Sequence, residues 1–197
     1  QDASSQLVAE YLNVEPGMVV VDSCAGAGGK TLHLSALMKN KGKLVAMDIY
    51  ESKLKKLKVR AKRNGAHNIN IKVIESTKPI KKLHNSADRV LIDAPCSGLG
   101  VLRRNPDSKW KLKEDFLTNI KITQQKILRD YSKMVKPGGK LVYATCSILN
   151  SENTKQIKDF LKSENGKEFK FDSEKIILSH EHGFDGFYMA LLTKNKW

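Results

Sequence analysis

Short apolar runs ending on a polar residue recur along this chain, with helical segments between them. Residues 18–22 are apolar up to the closing Asp22, as expected of a strand buried on both faces. Residues 44–48 repeat the pattern, as does 89–93 after its leading Arg89, each closing on an Asp. Ile69, Ile71 and Val73 alternate as a strand over 69–73, and 140–145 supplies a fifth. Helices are expected over 6–12, ended by Pro16-Gly17, over 30–38 and over 52–64. The 52–64 helix aims Leu54, Leu57 and Ala61 at a core and Lys55, Lys56, Lys58 and Lys62 elsewhere. Residues 94–113 read as a long loop rich in Pro and charge. A long helix over 114–135 turns at Pro137-Gly138-Gly139 into the fifth strand. A helix over 152–161 follows, capped by Asn150 or Ser151. Segments 169–171 and 187–192 close the chain as antiparallel strands. Alternation of this kind predicts an α/β, Rossmann-like, doubly wound sheet, in which ligands sit at the carboxyl ends of the strands.

The 197 residues, 40% of them hydrophobic, support one packed domain over 1–197. No apolar run approaches the ~20 residues of a membrane span, so no membrane partner is expected. The chain opens on Gln1 without a signal pattern and reads as a piece of something longer. Cys24, Cys96 and Cys146 are too few and too scattered for a disulfide scaffold, and no C-x-x-C suggests zinc. His180 and His182 form an H-x-H whose further ligands would have to come from elsewhere, so no metal is expected. Lys and Arg number 35 against 21 acids, a net charge of +14. That excess favours a polyanion, nucleic acid first, although a Lys-rich solvated surface gives the same count. A cytoplasmic monomer is expected.

The polar features fall at the strand ends. After Asp22 comes Ser23-Cys24-Ala25-Gly26-Ala27-Gly28-Gly29-Lys30. Its glycines would let the backbone approach a ligand, and the next helix start would favour an anionic group. Such a loop is equally a plain tight turn. Asp48 ends the second strand, where an acid commonly accepts from ribose hydroxyls or caps the next helix. Glu75, after the third strand, is an acceptor for an adenine amine or a solvated loop acid. Asp93-Ala94-Pro95-Cys96 and Ala144-Thr145-Cys146-Ser147 end the fourth and fifth strands, so two cysteines would face one cleft.

These segments resemble the Sun/RsmB/Nop family of RNA cytosine-5 methyltransferases. The likeness runs through Gln1-Asp2-Ala3-Ser4-Ser5, 23–31, 93–100, Arg104-Asn105-Pro106-Asp107 with Trp110, 136–147 and Asp185-Gly186-Phe187. The pairing of a Pro-Cys loop with a Thr-Cys-Ser loop is its most specific part. The resemblance implies a class I methyltransferase fold, a mostly parallel seven-stranded sheet with an antiparallel C-terminal hairpin. It implies S-adenosylmethionine as cofactor and RNA as partner, ribosomal RNA first and transfer RNA second. An RNA-binding portion would precede Gln1. Cys24, Ala25, Gly26, Ala27, Gly28, Gly29 and Lys30 would line the methionine and ribose part of the cofactor, with Lys53 beside them. Asp48 would take the ribose, Glu75 the adenine side, and Asp93 the methionine amine and the target base. Cys146 would be the nucleophile and Cys96 would assist product release. Two positions depart from the family pattern. The loop has Gly26-Ala27 where Ala-Pro is usual, and Glu75 stands where an Asp is usual.

The residue types suit the implied chemistry. Carbon 5 of cytosine is a poor nucleophile until a thiolate adds to carbon 6, so the attacking thiol needs a lowered pKa. Asp93 could share a proton at ring nitrogen 3, and Cys96 could act as base when the nucleophile leaves. Two alternatives stand beside this reading. In a DNA cytosine-5 methyltransferase the Pro-Cys cysteine is the nucleophile, and a silent RNA-binding subunit could use the same scaffold.

Overall fold

The structure, a computed structural model, describes residues 1–196, and the side chain of Lys111 also lies outside the description. Five parallel strands form the larger part of the sheet: β1 (Val19–Asp22), β2 (Lys43–Asp48), β3 (Ile69–Val73), β4 (Ala87–Asp93) and β5 (Val135–Thr145). β6 (Phe169–Ile177) and β7 (Phe187–Lys194) pair antiparallel, and β7 runs antiparallel to β5. The seven-stranded order is β3-β2-β1-β4-β5-β7-β6. The chain works outward from β1 to β3, then resumes at β4 on the other side of β1. The crevice between the carboxyl ends of β1 and β4 is therefore the switch point.

Side-chain alternation assigns each face a core. Val21, Val90, Ile92 and Tyr143 pack on one face with α4 (Lys78–Lys81), α6 (Glu114–Tyr131) and α7 (Thr154–Lys162) through Ile80, Leu128 and Ile157. Val20, Leu91, Val142 and Ala144 pack on the other with α1 (Ala3–Tyr11) and α2 (Gly29–Leu37) through Val8 and Leu34. Ala46 packs with Leu54 and Leu57 of α3 (Glu51–Arg63), the apolar stripe expected of that helix. Central strands covered on both faces explain the near-continuous apolar runs.

The expected architecture is the one observed, and its details differ where short-range signals are weak. The long helix ends at Tyr131, and a 3-10 turn (Ser132–Met134) leads into β5. β5 begins at Val135, and Pro137-Gly138-Gly139 loops out of its ladder, since Val135 pairs with Ala87 and Lys140 with Arg89. Neither Asn150 nor Ser151 caps α7; both lie in a 3-10 turn (Asn150–Glu152). α5 (Ser108–Lys111) interrupts the 94–113 loop, and α8 (Ser179–His182) carries the H-x-H. No helix among the described residues is long and apolar enough to cross a membrane.

Candidate active site

Asp22, Asp48 and Asp93 end β1, β2 and β4. All three line a cavity of about 540 Å³ at the switch point, together with Cys24, Ala25, Gly26, Ala27, Gly29, Lys30 and Lys53. The glycine loop is tied down at both ends. Ala25 N–H donates to the Met47 carbonyl at 2.8 Å, and Gly28 N–H closes the turn on Ala25 at 2.9 Å. Asp48 is 7% exposed and accepts from the backbone N–H of Gly26 and of Tyr50, each at 2.8 Å. It thus joins the loop after β1 to the entrance of α3.

Two expected lining residues stand apart. Gly28 supports the loop from beneath: its φ is +88° and a Cβ there would meet Leu57 Cδ1 at 2.1 Å. Glu75 is exposed and is not among the residues lining the cavity. Pro95 and the α6 residues Ile120, Thr123, Ile127 and Tyr131 form a wall that sequence reasoning missed. Pro95 follows β4, and the other four lie on the helix expected over 114–135, which carried no motif that tied it to a site. Gln1 and Ser5 also reach the cavity, so the N-terminal motif belongs to the site.

Asp22 is 1% exposed, and burial pushes its carboxyl up to about 7. One of its oxygens accepts from Thr31 Oγ1 at 2.7 Å, and the other has no partner among the described residues. Lys30 Nζ donates to Asp93 at 2.6 Å and lies 5.0 Å from the centre of the Phe187 ring. Burial drives the Cys24 thiol well above its ordinary range, so Cys24 lines the cavity as a neutral group.

Cys96 and Cys146 leave neighbouring strand ends, and their sulfurs lie 3.3 Å apart. Their shared hydrogen bond splits them. It lowers Cys146, against the opposing effect of burial, with Asp93 raising and Lys30 lowering it further. The same contact, then burial, raises Cys96 well above its ordinary range. Of the two thiols, the contact favours ionisation at Cys146.

The other motif segments close around this pair. Gly100 N–H donates to the Cys146 carbonyl at 2.9 Å, and Gly186 N–H to the Gly100 carbonyl at 2.8 Å. Any Cβ on Gly100 would strike Gly186 O at 2.1 Å, so this approach requires glycine. Arg104 pairs with Asp185, which is 2% exposed, and Asp2 caps α1 through Ser4 N–H at 3.0 Å. Glu152, fully buried, accepts from Ser97 and Ser147, the residues that follow the two cysteines. No local sequence signal announced that contact.

The strand order, the antiparallel β7 and the switch-point cavity define a Rossmann-like methyltransferase. The chain belongs to the family described as 16S rRNA methyltransferase RsmB/F, which matches residues 9–193. It is 37% identical to the probable ribosomal RNA small subunit methyltransferase B of Bacillus subtilis (strain 168), over 98% of this chain and 47% of that protein. It is 40% identical to the tRNA (cytosine(72)-C(5))-methyltransferase NSUN6 of Mus musculus, over 80% of this chain and 35% of that one. The solved structure of NSun6 from Pyrococcus horikoshii with SFG superposes with a TM-score of 0.88 at 28% identity, covering 100% of this chain and 53% of that one. The chain thus spans about half the length of the first of these relatives.

Proposed function

We propose that this chain is the catalytic domain, over residues 1–197, of an S-adenosylmethionine-dependent RNA cytosine-5 methyltransferase whose nucleophile is Cys146. The observation that carries the reading is the thiol pair at 3.3 Å, polarised toward a Cys146 thiolate, beside a cavity lined by acids. The relatives' names support the reaction class and an RNA substrate: ribosomal RNA first, transfer RNA second. SFG, an S-adenosylmethionine analogue, is bound in a structural relative and supports the cofactor. We assign the complete protein to the cytoplasm as a monomer, with RNA selection in a further segment of a longer chain.

The residues present fit this cofactor. The unpartnered, buried oxygen of Asp22 suits a cationic amine, and Asp48 keeps lone pairs for ribose hydroxyls beyond its two backbone bonds. Ile120, Ile127 and Tyr131 offer an apolar wall to a planar base. The exposed Glu75 is left out of the set. When bound, the cofactor supplies an electrophilic methyl on a sulfonium.

The protein's own groups then do the rest. The cytosine must leave its stack to reach the cleft. Cys146 Sγ forms a bond to carbon 6, which makes carbon 5 enamine-like and able to take the methyl. A proton taken up from solvent at ring nitrogen 3 offsets the electrons pushed into the ring, and Asp93, held by Lys30, accepts its hydrogen bond. Cys96 then acts as a relay: its sulfur takes the carbon 5 proton as its own thiol proton passes to the departing Cys146 sulfur, and the electrons of that C–H bond restore the ring and expel Cys146.

Cysteine variants of the full-length protein test this order. With RNA and cofactor, Cys96→Ala accumulates a protein–RNA species that survives denaturing gels; Cys146→Ala and the double variant do not. An adduct that persists in Cys146→Ala, or one that depends on Cys96, overturns the assignment.

A further inference from the structure

We infer that Glu152 is the positioning residue of this site: its buried carboxylate clamps the loops carrying Cys96 and Cys146 and sets the two sulfurs in contact. The inference deepens the proposed function and rests on it for the meaning of the thiol pair. Glu152 is fully buried, and four donors converge on it. Ser97 supplies its N–H at 2.8 Å and its hydroxyl at 2.5 Å. Ser147 supplies its hydroxyl at 2.7 Å, and Gln124 of α6 an amide N–H at 2.9 Å. An ionised carboxylate is acceptor-only, so this set matches its charged form. Both serines use their single hydroxyl proton on the same oxygen of Glu152.

The geometry is specific to the thiols. Ser97 and Ser147 each follow a cysteine directly, and the two loops arise from separate strands. The hydrogen bonds of β4 to β5 end with the pair Asp93 and Ala144, so the ladder does not hold the loops beyond it. Glu152 bridges them there. Asn153, beside it, accepts from Thr145 Oγ1 at 2.5 Å and donates to the Ser147 carbonyl at 2.8 Å, which fixes the Cys146 loop on both sides. Gln124 also donates to the Pro95 carbonyl at 2.9 Å and steadies the Cys96 loop. The charge of Glu152 contributes to raising Cys96, after the contact with Cys146 and burial. Position and charge therefore act together: the clamp fixes the contact between the two sulfurs, and its carboxylate adds to the raising of Cys96.

A purely structural carboxylate would affect melting and leave the relative reactivity of the thiols alone. The test is the rate at which iodoacetamide labels each cysteine, read peptide by peptide by mass spectrometry. In the wild type Cys146 should react at least about tenfold faster than Cys96, because the thiolate is the form that is alkylated. Glu152→Gln should bring the two rates within about threefold of each other, as the thiols lose their shared bond. The methylation kcat should fall about 100-fold, the scale for a misplaced reacting group, while KM for S-adenosylmethionine stays put. Ser97→Ala combined with Ser147→Ala keeps the carboxylate and removes two of its donors, and should reproduce the loss of selectivity. It decides the matter if Glu152→Gln does not fold. Wild-type selectivity in a folded variant of either kind, or no selectivity in the wild type, overturns the inference. Selectivity that collapses as expected in a protein that methylates no RNA sinks the proposed function and leaves the positioning role standing.

Discussion

Both oxygens of Asp48 already accept a backbone N–H, from Gly26 and from Tyr50. At the sequence level a ribose acceptor and a helix-entry acceptor were compatible readings of this acid, and the geometry leaves room for both, because a carboxylate carries about four lone-pair sites. Removing it therefore has two consequences. Asp48→Ala should weaken S-adenosylmethionine binding by about 1.5–3 kcal/mol, the range for hydrogen bonds to a charged group. It should also lower the melting temperature, because two N–H groups beside a 7%-exposed side chain lose their acceptor. Calorimetry and thermal unfolding on the same variant separate the effects. Unchanged cofactor affinity in a folded Asp48→Ala variant would remove this residue from the site and leave it a loop brace.

At the scale of elements, the turn between β1 and α2 shows two glycines with different duties. Gly26 has a φ of +54° and open space around its Cα, whereas Gly28 has a φ of +88° and sits against Leu57. Gly26→Ala should cost about 1–2 kcal/mol for the left-handed backbone alone. Gly28→Ala adds overpacking against a buried side chain and should cost about 2–5 kcal/mol in all. Denaturant unfolding checks the order; equal losses would mean that Leu57 yields freely. The strands of this region were legible because an apolar run ending on an acid is a local signal. The single-turn helices α4, α5 and α8 were not, since four residues cannot show a helical period. β6 hid most of its length because it lies at the sheet edge and exposes residues on both faces, so only Phe169 and Phe171 marked it. Glu152 hid for another reason. Its partners Ser97 and Gln124 lie far away in sequence, and a Glu near a helix start otherwise reads as a solvated first-turn acid.

Over the whole molecule, the net charge of +14 overstates what is free to meet a polyanion. Among the arginines of α3 and the 94–113 loop, Arg60 donates to the Ala27 carbonyl and Arg103 to the Gly183 carbonyl, and Arg104 pairs with Asp185. These arginines build the site. Lys55 pairs with Glu51, and Lys109 packs over Trp110, which is 79% exposed. Lys53, Lys56, Lys58, Lys62 and Arg63 stand exposed along α3, whose entrance borders the cavity at Tyr50 and Lys53. A single strand lying across three to five of these should release counterions with a slope of log affinity against log salt of about −2 to −3.5, at about −0.7 per contact. Replacing Lys56, Lys58 and Lys62 together by Gln should flatten that slope by about 2 and leave cofactor affinity unchanged, since none of the three lines the cavity. Filter binding over a salt series reads both quantities. A slope that the triple variant does not alter would move the RNA path off α3 and onto another face of the chain. A slope near zero in the wild type would mean that this domain contributes chemistry and no phosphate contacts, with RNA affinity residing wholly in the remainder of a longer protein.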